Sequence, residues 1–123
     1  MSVDRKALVR AYKEARRPMG VFRIRNVQNG RALIGASVDL PSILNRHRAQ
    51  LRLHSHRNEA LQRDWDILGA DAFAFETLDM LTPPEDDAGY DPAADLEALE
   101  AMWLEQLAPF GDRGYNRPPK GSA

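Results

Sequence analysis

An Asn29-Gly30 pair set between two runs of alternating apolar and polar residues constrains this chain more than any other feature. Asn-Gly accepts the positive backbone angles of a tight turn that matches strand twist, and period-two alternation suits half-buried strands. The stretch from Gly20 to Ser37, GVFRIRNVQNGRALIGAS, therefore predicts a β-hairpin. Phe22 and Ile24 fall on one face and Arg23 and Arg25 on the other, while on the return strand Ala32 and Ile34 oppose Arg31 and Leu33. Alternation leaves either face eligible for burial.

The rest of the chain reads as helices and one more strand. Leu8, Val9 and Tyr12 recur at helical spacing after Ser2 and Asp4, which predicts a first helix ending before Pro18. Beyond the hairpin, Asp39 is the expected N-cap of a helix with Pro41 in its first turn, running through Leu40, Ile43, Leu44, His47 and Leu51. Asn58 is the expected cap of a second helix carrying Leu61, Trp65 and Leu68 and stopped by Gly69 in a left-handed closing conformation. In residues 72 to 81, Phe73, Phe75 and Thr77 alternate against Ala74, Glu76 and Leu78, a third strand whose aromatic face requires helices to cover it. TPPEDDAGYDP is an exposed connection, and from Ala93 the stripe Leu96, Leu99, Trp103, Leu104 and Leu107 predicts a long helix ended by Pro109 and Gly111. The fold class is α+β: a small, mainly antiparallel three-stranded sheet flanked by helices. Residues 1–18 form an N-terminal helix, 19–116 the domain and 117–123 a frayed tail.

With 123 residues and 43% hydrophobic content, one domain with one core is the expectation. The chain has no cysteine, which removes disulfides, thiolate zinc sites and thiol nucleophiles and fits a reducing cytoplasm. No apolar stretch of signal or membrane length is present, so the expectation is a cytoplasmic protein with no membrane partner. Formal net charge is −1, yet residues 1 to 63 hold 14 Lys and Arg against 4 Asp and Glu, while the remainder holds 3 against 14. A basic half of this kind either collects phosphate backbones or merely solvates helix faces.

Gly20-Val21-Phe22, a spacer containing N-x-x-N-G, and Leu33-Ile34-Gly35 followed by Ala36-Ser37 resemble the paired motif of the GIY-YIG endonuclease family. The resemblance runs on through N-R-H at 45–47, L-Q-x-x-W at 61–65, Glu100 three residues before Trp103, and the closing G-Y-N at 114–116. It implies a fold in which one divalent metal, Mg²⁺ or Mn²⁺, held by a late helix glutamate, serves phosphodiester cleavage. Two tyrosines and a helix arginine there handle the nucleophile and the phosphate. Carried over residue by residue, the tyrosine positions fall on Phe22 and Leu33 and the arginine position on Ile43, none of which has the reactive group. Glu100, as metal ligand, and Asn116 match, along with His47 and His56.

Glu100, Asn116, His47 and Arg46 are accordingly the candidate catalytic residues, with Arg46 or Arg31 as a displaced cation. Arg46, Arg48, Arg52, His56 and Arg57 are the candidate nucleic-acid contacts. Each has an ordinary alternative: a solvated glutamate, an asparagine closing a turn, a hydrogen-bonded core histidine, a solvated basic face. The expected function is a nucleic-acid-binding domain, DNA favoured, with cleavage weak or absent. The alternatives are an active metal-dependent endonuclease using Glu100 and a relocated arginine, and a protein-interaction scaffold.

Overall fold

The structure is a computed structural model describing Lys6 and residues 17–119. Of the expected first helix only Lys6, which is helical, and Arg17 and Pro18, which are not, are among the described residues; the rest of it lies outside them, as do residues 120–123 of the expected tail. Strands β1 (Gly20–Asn26) and β2 (Ala32–Ser37) form the expected hairpin, and β3 (Phe73–Met80) adds to its other side, giving one antiparallel sheet in the order β2-β1-β3. Helices α1 (Leu40–Arg52) and α2 (Glu59–Leu68) lie between β2 and β3 in sequence, and α3 (Ala93–Leu107) follows β3.

Cross-strand register decides which residues share a face. Phe22 stands opposite Gly35 and Thr77, and Ile24 opposite Leu33 and Phe75, so these six share one face. That face is covered by α1 and α2: Phe22, Ile24 and Phe73 join Leu40, Leu51, Leu61, Trp65 and Tyr115 in one buried cluster. The Trp65 ring lies 5.4 Å from that of Phe73 and 6.3 Å from that of Phe75, which is how the third strand's aromatic face finds its cover. On the other face Val21 and Ile34 are buried where α3 packs across β2 and β1, and Trp103 Nε1 donates to Asp79 Oδ2 at 3.0 Å. The sheet is therefore dressed on both sides. Farther along the second face Glu76 sits between Arg23 and Arg25, with nitrogen-oxygen distances of 2.6 and 2.8 Å.

The helix boundaries follow the expected chemistry. Asp39 Oδ1 accepts the Ser42 amide with Pro41 in the first turn, and Asn58 Oδ1 accepts the Leu61 amide. Gly69 ends α2 with φ +88° but an extended ψ of 164°, a different conformation from the expected left-handed one, because the chain turns at once into the short 3₁₀ turn Ala70–Ala72 that feeds β3. At the end of α3 the left-handed residue is Ala108, ahead of Pro109 and Gly111.

The hairpin turn is wider than Asn-Gly predicts. The Asn26 amide donates to Arg31 O and the Gly30 amide to Asn26 O, both at 2.8 Å, which closes a loop over residues 27–30. The cause is Asn26. Its Oδ1 accepts the Gln28 and Asn29 amides at 3.0 and 3.4 Å, and its buried Nδ2 donates to Tyr115 Oη at 3.1 Å. One side chain thus holds the loop and ties it to the closing segment of the chain.

Candidate functional site

Both glycines of the paired motif are required by packing. A Cβ on Gly20 would lie 2.0 Å from Asp79 O of the paired strand β3, and Gly20 also has φ +155°. A Cβ on Gly35 would lie 2.5 Å from Phe22 Cζ, so the first motif's aromatic ring occupies the space that the second motif's glycine leaves open. Phe22 is only 4% exposed, and Leu33 and Ile43 pack against the same buried cluster. The three positions lacking reactive groups thus all border one apolar cluster, Phe22 and Leu33 from the sheet and Ile43 from α1.

Asn116 reaches the second motif from the far end of the chain. Its Oδ1 accepts the Ile34 amide and its Nδ2 donates to Ile34 O, both at 2.8 Å. The side-chain amide therefore pairs with the outer edge of β2 as a neighbouring strand would, at the middle residue of the second motif. The Tyr115 amide continues this edge by donating to Ala32 O at 2.9 Å. Tyr115 Oη donates to Asp64 Oδ2 at 2.6 Å, and burial, then this carboxylate, pushes the phenol up to about 12. Asn26, Asp64 and Tyr115 form a support that sequence reasoning missed. The G-Y-N and N-x-x-N-G strings were visible, but not that they meet.

His47 of α1 sits 5.3 Å, ring to ring, from Phe22. His56, from the connection between α1 and α2, stacks on it at 5.0 Å, with His47 Nδ1 and His56 Nε2 2.7 Å apart. Burial, then the charges of His56 and Arg46, lowers His47 to about 4, and burial lowers His56 too. His54, two residues away, belongs to a different arrangement, with Nδ1 2.7 Å from Asp66 Oδ1.

The arginines divide into two sets. Those of the hairpin have carboxylate partners: Arg23 and Arg25 share Glu76, and Arg31 lies 3.7 Å from Asp64, with its Nε also donating to Asp112 O. Arg46, Arg48, Arg52 and Arg57 have no carboxylate partner among the described residues. Arg48 lies over the Phe75 ring at 4.4 Å, and the other three are exposed.

Glu100 is half-buried on α3, so it comes to the sheet from a different helix than His47, and its carboxylate has no hydrogen bond or ion pair among the described residues. No group of three or more His, Cys, Asp or Glu side chains that could hold a metal occurs among the described residues. A single free carboxylate still suits a hard divalent ion that keeps most of its waters and completes its shell with substrate oxygens.

No family model and no curated protein matches the sequence. Solved structures do match in fold, and the fold is that of the GIY-YIG endonuclease catalytic domain. The catalytic domain of homing endonuclease I-TevI is similar to this chain at 23% identity and a TM-score of 0.65, over 82% of this chain and 99% of that one. A variant of the same domain, described as that of an intron endonuclease, gives 23% identity and 0.64 over 80% and 92%. Among the described residues no helix is long and apolar enough to cross a membrane.

Proposed function

We propose that this chain is a nucleic-acid-binding module on a nuclease fold, with phosphodiester cleavage absent or far below that of a domain with a complete site. One observation carries the reading: Phe22, Leu33 and Ile43 all pack in or against one apolar core cluster, at the positions where the resemblance places two phenols and a guanidinium. Cleavage needs a group to orient or deprotonate the attacking oxygen and a cation on the pentavalent phosphate, and an apolar surface supplies neither. Binding is supported by Arg46, Arg48, Arg52 and Arg57, which no carboxylate neutralises among the described residues. The similar solved structures are endonuclease domains, which favours nucleic acid, and DNA first, as the ligand. The cysteine-free sequence fits a cytoplasmic setting.

The free Glu100 carboxylate favours a second reading, an active endonuclease in which Arg46 replaces the missing cation. Glu100 would hold Mg²⁺ or Mn²⁺, which when bound supplies positive charge at the phosphate. Incubation with single- and double-stranded DNA and RNA in Mg²⁺ and Mn²⁺ separates the two. The proposal expects no cleavage beyond that of a Glu100→Ala variant. Robust metal-dependent cleavage lost in Glu100→Ala establishes the second reading, and absence of binding even at low salt leaves a protein-interaction scaffold.

A further inference from the structure

We infer that His56 and Asn58 are positioning residues that hold His47 as a neutral imidazole with its proton on Nε2, presented to a phosphodiester oxygen of bound nucleic acid. The choice of ligand rests on the nucleic-acid reading above; the proton assignment rests on geometry. The Asn58 backbone N–H lies 3.0 Å from His56 Nδ1 and can only donate, so that nitrogen carries a lone pair. A neutral His56 then has its proton on Nε2, 2.7 Å from His47 Nδ1, and donates it there. His47 Nδ1 is thereby the acceptor, and the His47 proton is on Nε2.

The anchor of this chain is rigid. Asn58 Oδ1 accepts the Leu61 amide at 3.0 Å and Nδ2 donates to Tyr115 O at 2.7 Å, so the residue that fixes His56 also caps α2 and holds the closing segment. Gln62 Oε1 accepts the His56 amide at 3.0 Å. His47 Nε2 has no partner among the described residues, and no buried side-chain nitrogen or oxygen lacks one there, so this N–H is not sealed off among them. The groups facing His47 are Arg46 from its own helix, His56 from the loop and the uncharged Phe22 ring from β1.

The arrangement excludes a general base at this nitrogen. A lone pair on His47 Nε2 requires both rings to exchange tautomer, which would point His56 Nδ1–H at the Asn58 N–H. What remains is a directed neutral donor beside the cationic Arg46, suited to an anionic oxygen.

Long-range proton-nitrogen NMR of ¹⁵N-labelled full-length protein distinguishes the two neutral tautomers from the cation. Both His47 and His56 are expected as Nε2–H at neutral pH, and a short DNA duplex added at low salt should shift the His47 Nε2–H signal. His56→Gln keeps an amide donor and should preserve the His47 tautomer, His56→Leu should release it to a mixture, and His47→Phe, which removes the donor, should weaken duplex binding about tenfold, the size of one hydrogen bond to a charged group. Circular dichroism and Tm confirm that each variant is folded. A His47 cation or Nδ1–H form at neutral pH overturns the inference, as does a bound duplex that leaves His47 unmoved. The expected tautomers with no duplex binding overturn the nucleic-acid reading and, with it, the ligand assigned to His47.

Discussion

Asn116 illustrates how a matching residue can be held by the fold. Both ends of its amide are spent on the Ile34 backbone, so it acts where a strand would otherwise have to pair. Asn116→Ala should cost about 1–3 kcal/mol, since it leaves two partly buried backbone groups unpaired. Denaturant unfolding measures this, and an unchanged midpoint would contradict the clamp. Gly35 makes the complementary case. Gly35→Ala places a methyl against Phe22 Cζ and should cost about 1–3 kcal/mol through overpacking. Phe22→Leu should relieve part of that cost. The measurement is a double-mutant cycle, and strict additivity would deny the contact.

At the scale of elements, α1 and the connection to α2 are joined by the histidine pair. His47 is lowered to about 4 from an ordinary value near 6.5, and His56 is lowered too. As pH falls below 6.5 the unfolded chain takes up protons before the folded one, so stability is full above 6.5 and declines toward pH 4. Thermal unfolding across that window should show Tm falling with pH, and His47→Gln should flatten the fall. Glu76, held low by Arg25 and then Arg23, contributes in the same direction at more acidic pH, where its own carboxylate protonates. A Tm independent of pH over the histidine window would refute the buried neutral pair.

For the whole molecule, folding sorts the lopsided charge of the sequence. Hairpin arginines meet acids from the second half, Glu76 and Asp64, and the arginines of α1 and the following loop do not. The cationic surface is thus narrower than the sequence count implies, and it lies on the helix that carries His47 and the loop that follows it. Nucleic-acid affinity should fall steeply with added salt, because phosphate contacts release counterions. Replacing two of Arg46, Arg48, Arg52 and Arg57 by alanine should reduce the slope of log affinity against log salt by about one unit per lost phosphate contact. Replacing Arg23 and Arg25, already paired with Glu76, should leave that slope nearly unchanged. Equal effects from the two pairs would mean that the ion pairs open on binding.

Local chemistry is legible in a sequence when it is carried by neighbours along the chain. Alternation around Asn29-Gly30 determined the hairpin and its two faces, Asp39 and Asn58 determined where α1 and α2 begin, and the family resemblance marked Phe22, Leu33 and Ile43 as missing their reactive groups. The turn came out differently because Asn26 answers to Tyr115, 89 residues later, and no local pattern records that bond. The same separation hid the Asn116 clamp, the commitment of Arg31 to Asp64, and Asn58 as the link between the closing segment and the histidines. These are hydrogen bonds between groups distant in sequence, and which donor meets which acceptor is fixed only when the helices close over the sheet and exclude water.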